Sequence, residues 1–212
     1  MKKHILCFGD SNTHGYCADP CDCADGGARF NEDERWTCLL GKALGDEYLI
    51  IEEGLGGRTT VFEDPYTEGL SGLSYIYPCM KSHDPISLLI IMLGTNDTKE
   101  RFNANPTCIS MALERLIKKA KTVNAWANKP NILIVAPPHI HPEHSDAAMG
   151  PGCSEKSRAL AFLYRAVCER QDCAFLDAEG IAEFNQIDHM HLTKNGHTAL
   201  AKKLSEIVPE LV

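Results

Sequence analysis

No apolar run in this sequence is long enough to cross a membrane. The longest, Ile86 to Leu93, is interrupted by Ser87 and falls far short of the roughly 20 residues a membrane helix needs. An export signal is not expected either. Lys2 and Lys3 supply charge, but the apolar run Ile5 to Phe8 stops at Gly9-Asp10, too short for the core of one. The cytoplasm is therefore the expected compartment. Positive charge is also scarce: 21 Lys and Arg stand against 29 Asp and Glu, a net charge of −8. Such a surface argues against nucleic acid and anionic membrane as partners. Three glycine signatures are missing as well. Without G-x-x-x-x-G-K-[ST] or G-x-G-x-x-G there is no standard phosphate or dinucleotide loop, and without G-x-S-x-G there is no α/β-hydrolase elbow.

Cysteine, by contrast, is plentiful. Ten occur in 212 residues, yet no paired C-x-x-C accompanies them. A chain this long has material for a hydrophobic core and does not need a disulfide framework. Cys7 lies in an apolar run and Cys168 in a helical pattern, where a free thiol packs as a small hydrophobe. Cys17, Cys21 and Cys23 crowd a loop rich in Gly and Asp; reduced thiols are expected there, with a thiophilic metal or a disulfide as the alternative. With 44% hydrophobic and 24% charged residues and no repeat or low-complexity tract, residues 1–212 read as one globular domain.

Strand and helix patterns alternate. Apolar runs at His4–Phe8, Tyr48–Ile51, Leu88–Leu93, Asn131–Val135 and Ala174–Leu176 predict strands. Helical stripes run through Trp36–Leu44, Pro106–Val123, Glu155–Arg170 and Lys194–Val208. Strands apolar on both faces and separated by helices imply a parallel sheet covered on both sides. Right-handed crossovers then give a flavodoxin-like three-layer α/β/α fold, with a five-stranded parallel sheet in the order 2-1-3-4-5. Residues 17–34 and 139–154 lack periodicity and are expected as surface excursions near the active edge.

In such a sheet, ligands bind beyond the carboxyl ends of the strands. The turns leaving strands one, two and three are Gly9-Asp10-Ser11-Asn12, Gly54-Leu55-Gly56-Gly57 and Gly94-Thr95-Asn96-Asp97, so all three open onto one edge. The loop Asp188-His189-Met190-His191 precedes the last helix and can reach it. Ser11 is a candidate nucleophile, His191 the base that would take its proton, and Asp188 the carboxylate that orients the imidazole. The Ser11 and Gly57 N–H groups and the Asn96 amide are candidate donors to an oxyanion. Asn12, His14 and Tyr16 are candidate walls of an acyl or alcohol pocket, with a helix-surface role as the alternative. His189 competes with His191, and the Asp-x-x-His spacing favours His191. His139, His141 and His144, with Glu143, lack helical ligand spacing and are expected as a solvated loop or pocket rim, with metal binding as the alternative; no cofactor is expected.

These motifs resemble those of the SGNH (GDSL-type) hydrolases. Ile5-Leu6-Cys7-Phe8-Gly9-Asp10-Ser11 is similar to the family's first block, Gly57 to its glycine block, Asn96 to its asparagine block and Asp188-x-x-His191 to its last. The flanking Glu-Glu-Gly-Leu, Arg-Thr-Thr and Leu-Gly-Thr-Asn-Asp-Thr-Lys are similar to the arylesterase/acyltransferase branch. The resemblance implies a serine esterase acting on short-chain or aryl esters, with a small-molecule ester as partner and an alcohol as an alternative acyl acceptor. It also implies self-association, without a subunit count. A carbohydrate O-deacetylase is the alternative within the family, and an anion-binding flavodoxin-like module is the alternative outside it.

Overall fold

The computed structural model describes all 212 residues, Met1–Val212. Five parallel strands form one sheet: β1 (Lys3–Gly9), β2 (Tyr48–Gly54), β3 (Ile86–Met92), β4 (Ile132–Ala136) and β5 (Ala174–Asp177). Their order is β2-β1-β3-β4-β5, as expected from right-handed crossovers. Register is set by side-chain alternation, because a one-residue slip would exchange the two faces of every strand. Leu6 and Phe8 of β1, Leu89 and Ile91 of β3, and Ile132 and Ile134 of β4 enter one core. Ile5 and Cys7, Leu88 and Ile90, and Leu133 and Val135 enter the other.

The first core lies beneath α3 (Gly72–Ser82), α4 (Pro106–Lys121) and α5 (Cys153–Gln171), and the second beneath α2 (Trp36–Leu44) and α6 (Lys194–Leu211). The short α1 (Ser11–His14) leaves β1 directly. Helix boundaries fall close to those predicted, but α3 is absent from the sequence reading. Pro78 sits inside it and Gly72 opens it, both poor helix residues, so propensity hides the buried stripe Ile76-Cys79-Met80. Ser71 caps its N-terminus by accepting the Ser74 N–H. No helix is long and apolar enough to cross a membrane.

The thiols are all free. Cys17 and Cys23 pack with Phe30 in a small cluster of their own. Their Sγ atoms donate to the carbonyls of Asp19 and Arg29. Residues 17–34 are held down chiefly by the buried Glu34, which accepts the N–H groups of Ala24 and Asn31 and the Lys194 ammonium.

Helix α6 docks through a buried histidine. His197 Nδ1 accepts the Trp36 N–H at 3.3 Å, and its ring meets Phe30 edge-on, 4.9 Å between centroids. Burial, reinforced by the Arg35 charge, holds its pKa down to about 3. The unfolded chain therefore binds a proton that the folded chain refuses, and the stability contributed by the neutral ring is present above pH about 6.5 and lost as pH falls toward 3. His197→Leu should flatten the fall of Tm between pH 6.5 and 4.5. Its Tm at pH 7.5 should itself be lower, because the Trp36 N–H loses its acceptor. Parallel acid slopes for the two proteins would contradict this assignment.

Candidate active site

The three strand-end turns and the loop before α6 meet above the carboxyl end of the sheet, around a cavity of about 360 Å³. Each turn is placed by a local constraint. At the end of β1, Asp10 caps α1 by accepting the Asn12 N–H at 2.9 Å, which leaves the Ser11 N–H among the first-turn donors that have no intrahelical partner. At the end of β2, a Cβ on Gly54 would lie 2.1 Å from the His14 nitrogen, so only glycine lets β2 pass this close to α1. Gly57 follows with φ +84°, and its N–H has no hydrogen-bond partner within the chain. After β3, Gly94 (φ +130°) turns the chain beneath the Tyr164 ring into a single 3₁₀ turn that carries Asn96.

The side chains then converge. Ser11 Oγ lies 2.8 Å from His191 Nε2, and His191 Nδ1 lies 2.7 Å from Asp188 Oδ2. The contact joins residues 180 positions apart in the chain. Asp188 is itself tightly held: Oδ1 accepts the N–H groups of Met190 and His191 and the Asn185 amide. Burial alone would raise its pKa, but the His191 contact and these donors outweigh it and bring the carboxyl down to about 2. Asn185, which the sequence reading did not single out, also donates to the His191 carbonyl and accepts the Ile187 and Asp188 N–H groups, so one side chain organises the whole loop. The Asn96 amide faces the same cavity, 3.4 Å from Asp10 Oδ2 and 3.2 Å from the Arg58 carbonyl. Burial raises the Asp10 carboxyl to about 6 against the pull of the Asn12 N–H and of the His191, Arg58 and Lys99 charges.

The three candidate pocket residues separate. Tyr16 borders the cavity and tilts over the His191 ring, 4.5 Å between centroids. Asn12 does not reach the cavity. One step of about 100° around α1 turns its side chain away from that of Ser11 and into the protein. There its amide donates to the Met190 carbonyl at 3.1 Å and its oxygen accepts the Leu192 N–H at 2.9 Å, which pins the histidine loop. His14 is turned off the cavity too, at the crossing with Gly54. The remaining wall comes from Thr95, Lys99, Asp146, Met149 and Met190. Two of these belong to residues 139–154, so that excursion borders the cavity, whereas residues 17–34 contribute nothing to it.

His189 takes a left-handed conformation (φ +61°) and stacks on His141, 4.9 Å between centroids, beside a separate cavity. There the ligand atoms of His141, Glu143 and His189 lie within 4.8 Å of one another, as do those of Glu53, Cys79 and His83 on the other flank. Neither cluster borders the Ser11 cavity. His144, instead of joining the first, meets Cys153 Sγ at 3.1 Å.

A hydroxyl, an imidazole and a carboxylate in series, with Gly57 and Asn96 bordering the same cavity, form the kind of arrangement used for acyl transfer through a serine. Comparisons with known proteins agree with that chemistry. The model of the GDSL-like lipase/acylhydrolase family matches residues 7–199. The solved structure of the native M. smegmatis aryl esterase is 36% identical with a TM-score of 0.89, covering 99% of this chain and 100% of that one. A carbohydrate acetylesterase from Sinorhizobium meliloti is 34% identical with a TM-score of 0.90, covering all of both chains. A lipolytic G-D-S-L family member from Veillonella parvula, at 19% identity and a TM-score of 0.69, shares the fold. A search of curated proteins returned no match. The chain accordingly belongs to the GDSL-like lipase/acylhydrolase family and is a carboxylic ester hydrolase.

Proposed function

We propose that this enzyme cleaves small carboxylic esters through an acyl-enzyme on Ser11. The observation that carries the reading is the unbroken series from Ser11 Oγ to His191 Nε2 at 2.8 Å and from His191 Nδ1 to Asp188 Oδ2 at 2.7 Å. Ser11 Oγ attacks the ester carbonyl as His191 Nε2 takes its proton, and Asp188 stabilises the imidazolium that results. The Ser11 and Gly57 N–H groups and the Asn96 amide receive the oxyanion; the Gly57 donor is free to do so, and the Asn96 contact to Asp10, at 3.4 Å, is long enough to give way. His191 then returns the proton to the departing alcohol. Water, activated by the same nitrogen, releases the acid, and an alcohol entering in its place would carry the acyl group away.

The cavity, about 360 Å³, lies at the lower end of small-molecule sites and suits a short acyl chain on an aryl or small alkyl alcohol. A second reading, deacetylation of a sugar, draws support from the polar wall of Thr95, Lys99 and Asp146 and from the name of the acetylesterase relative. Turnover of 4-nitrophenyl acetate, 4-nitrophenyl octanoate and peracetylated xylose, each with and without added alcohol, distinguishes these. The expected ranking places the aryl acetate first and the octanoate at least about tenfold lower in kcat/KM, since a pocket this small excludes the longer chain. A clear preference for acetylated xylose would transfer the assignment to the second reading.

A further inference from the structure

Lys99 follows the Asn96 turn and borders the Ser11 cavity. It is only 9% exposed, an uncommon state for a lysine, and its ammonium has neither an ion-pair nor a hydrogen-bond partner. Each carboxylate near it is engaged elsewhere. Asp64 pairs with Arg101 at 3.3 Å, Asp10 holds the Asn12 N–H and the Asn96 amide, and Asp146 Oδ1 accepts the Ala148 N–H. Asp188 belongs to His191. Burial accordingly pulls the Lys99 pKa down, with the Arg101 charge adding to it and the three acids only opposing it from a distance. The stem of Lys99 is covered while its ammonium opens onto the cavity, so a cation that no protein group claims is available to an anion brought in by a ligand.

We propose that Lys99 forms an anion subsite inside the reaction cavity, so that the preferred substrates are esters that also carry a carboxylate. This rests on Ser11 being the nucleophile, since the subsite is defined by its place beside that residue. The carboxylate sits on the acyl side or on the alcohol side of the ester, and one charge-assisted hydrogen bond at Lys99 serves in either case.

Two ester pairs locate it. On the acyl side, 4-nitrophenyl hemisuccinate is compared with its methyl ester; on the alcohol side, the acetyl ester of 4-hydroxybenzoate is compared with that of its methyl ester. In one of the two pairs the carboxylate form should lead in kcat/KM by on the order of 10–100-fold, the range expected of one hydrogen bond to a charged group. Lys99→Gln should collapse that ratio, and Lys99→Arg should restore most of it. Succinate should compete with 4-nitrophenyl acetate for the unmodified enzyme while succinamide does not, a measurement that needs no variant. Equal losses for charged and neutral esters in Lys99→Gln, or no carboxylate preference together with no competition by succinate, overturn the subsite. Turnover that survives in Ser11→Ala would instead overturn the nucleophile assignment, whatever the ratios show.

Discussion

Ser11→Ala should reduce kcat for 4-nitrophenyl acetate by on the order of 10⁴–10⁶, and labelling by a fluorophosphonate should disappear with it. The size follows from what the hydroxyl does. In the proposed mechanism it alone forms the covalent bond to the acyl carbon, so without it the reaction falls back on whatever rate the oxyanion donors and bound water sustain. The change should be nearly silent for folding. Ser11 Oγ has the His191 ring as its one hydrogen-bond partner, and that ring stays anchored at Nδ1 by Asp188. A Tm within a degree or two of the parent, together with lost turnover and lost labelling, is the expected pattern. A variant that still turns over the ester at a comparable rate would remove Ser11 from the chemistry.

Asp188→Asn should cost about 10⁴ in kcat through the wrong imidazole tautomer. The surrounding donors dictate how an asparagine would sit. Oδ1 already accepts the Met190 and His191 N–H groups and the Asn185 amide, so the new side chain keeps its oxygen there and turns its NH₂ toward His191 Nδ1. Nδ1 must then accept, the ring proton moves to Nε2, and Nε2 can no longer take the proton of Ser11. His189→Ala makes the control. It lies one residue away, yet its ring packs on His141 beside a different cavity, so its kcat should stay within about twofold of the parent. Loss of activity in His189→Ala with retention in Asp188→Asn would reverse the roles. The carboxylate also affects acid stability. With a pKa held near 2, below the usual carboxylate value of 3.8, Asp188 contributes stability that is present above pH about 4 and lost as pH falls toward 2. Asp188→Asn should lack that increment.

Much of the site can be read in the letters because strand-end turns in an open parallel sheet share one edge. Once β1, β2 and β3 are recognised as neighbouring parallel strands, Ser11, Gly57 and Asn96 must lie close together. Asp188 and His191 are three residues apart, so their pairing is a local property of one turn. What could not be read is the wall. Asn12 looks like a pocket residue because it follows Ser11, but the helical rotation sends it inward, where it binds the main chain of Met190 and Leu192. Asn185 carries no motif, although its amide holds both Asp188 and the His191 carbonyl. Helix α3 is hidden for the opposite reason, since Pro78 and Gly72 lower its propensity while burial of Ile76 and Met80 against the sheet supports it.

Periodicity, turn residues and four short motifs were therefore enough to determine the sheet order, the edge where the candidate residues gather and which of them meet there, because each depends on spacing along the chain or on the handedness of crossovers. Tertiary structure alone decided which of two aperiodic excursions walls the cavity, which way Asn12 faces, and that Lys99 lines the cavity without a partner. Those facts depend on contacts between segments far apart in sequence, where rotamer and burial are set by neighbours that no local pattern names.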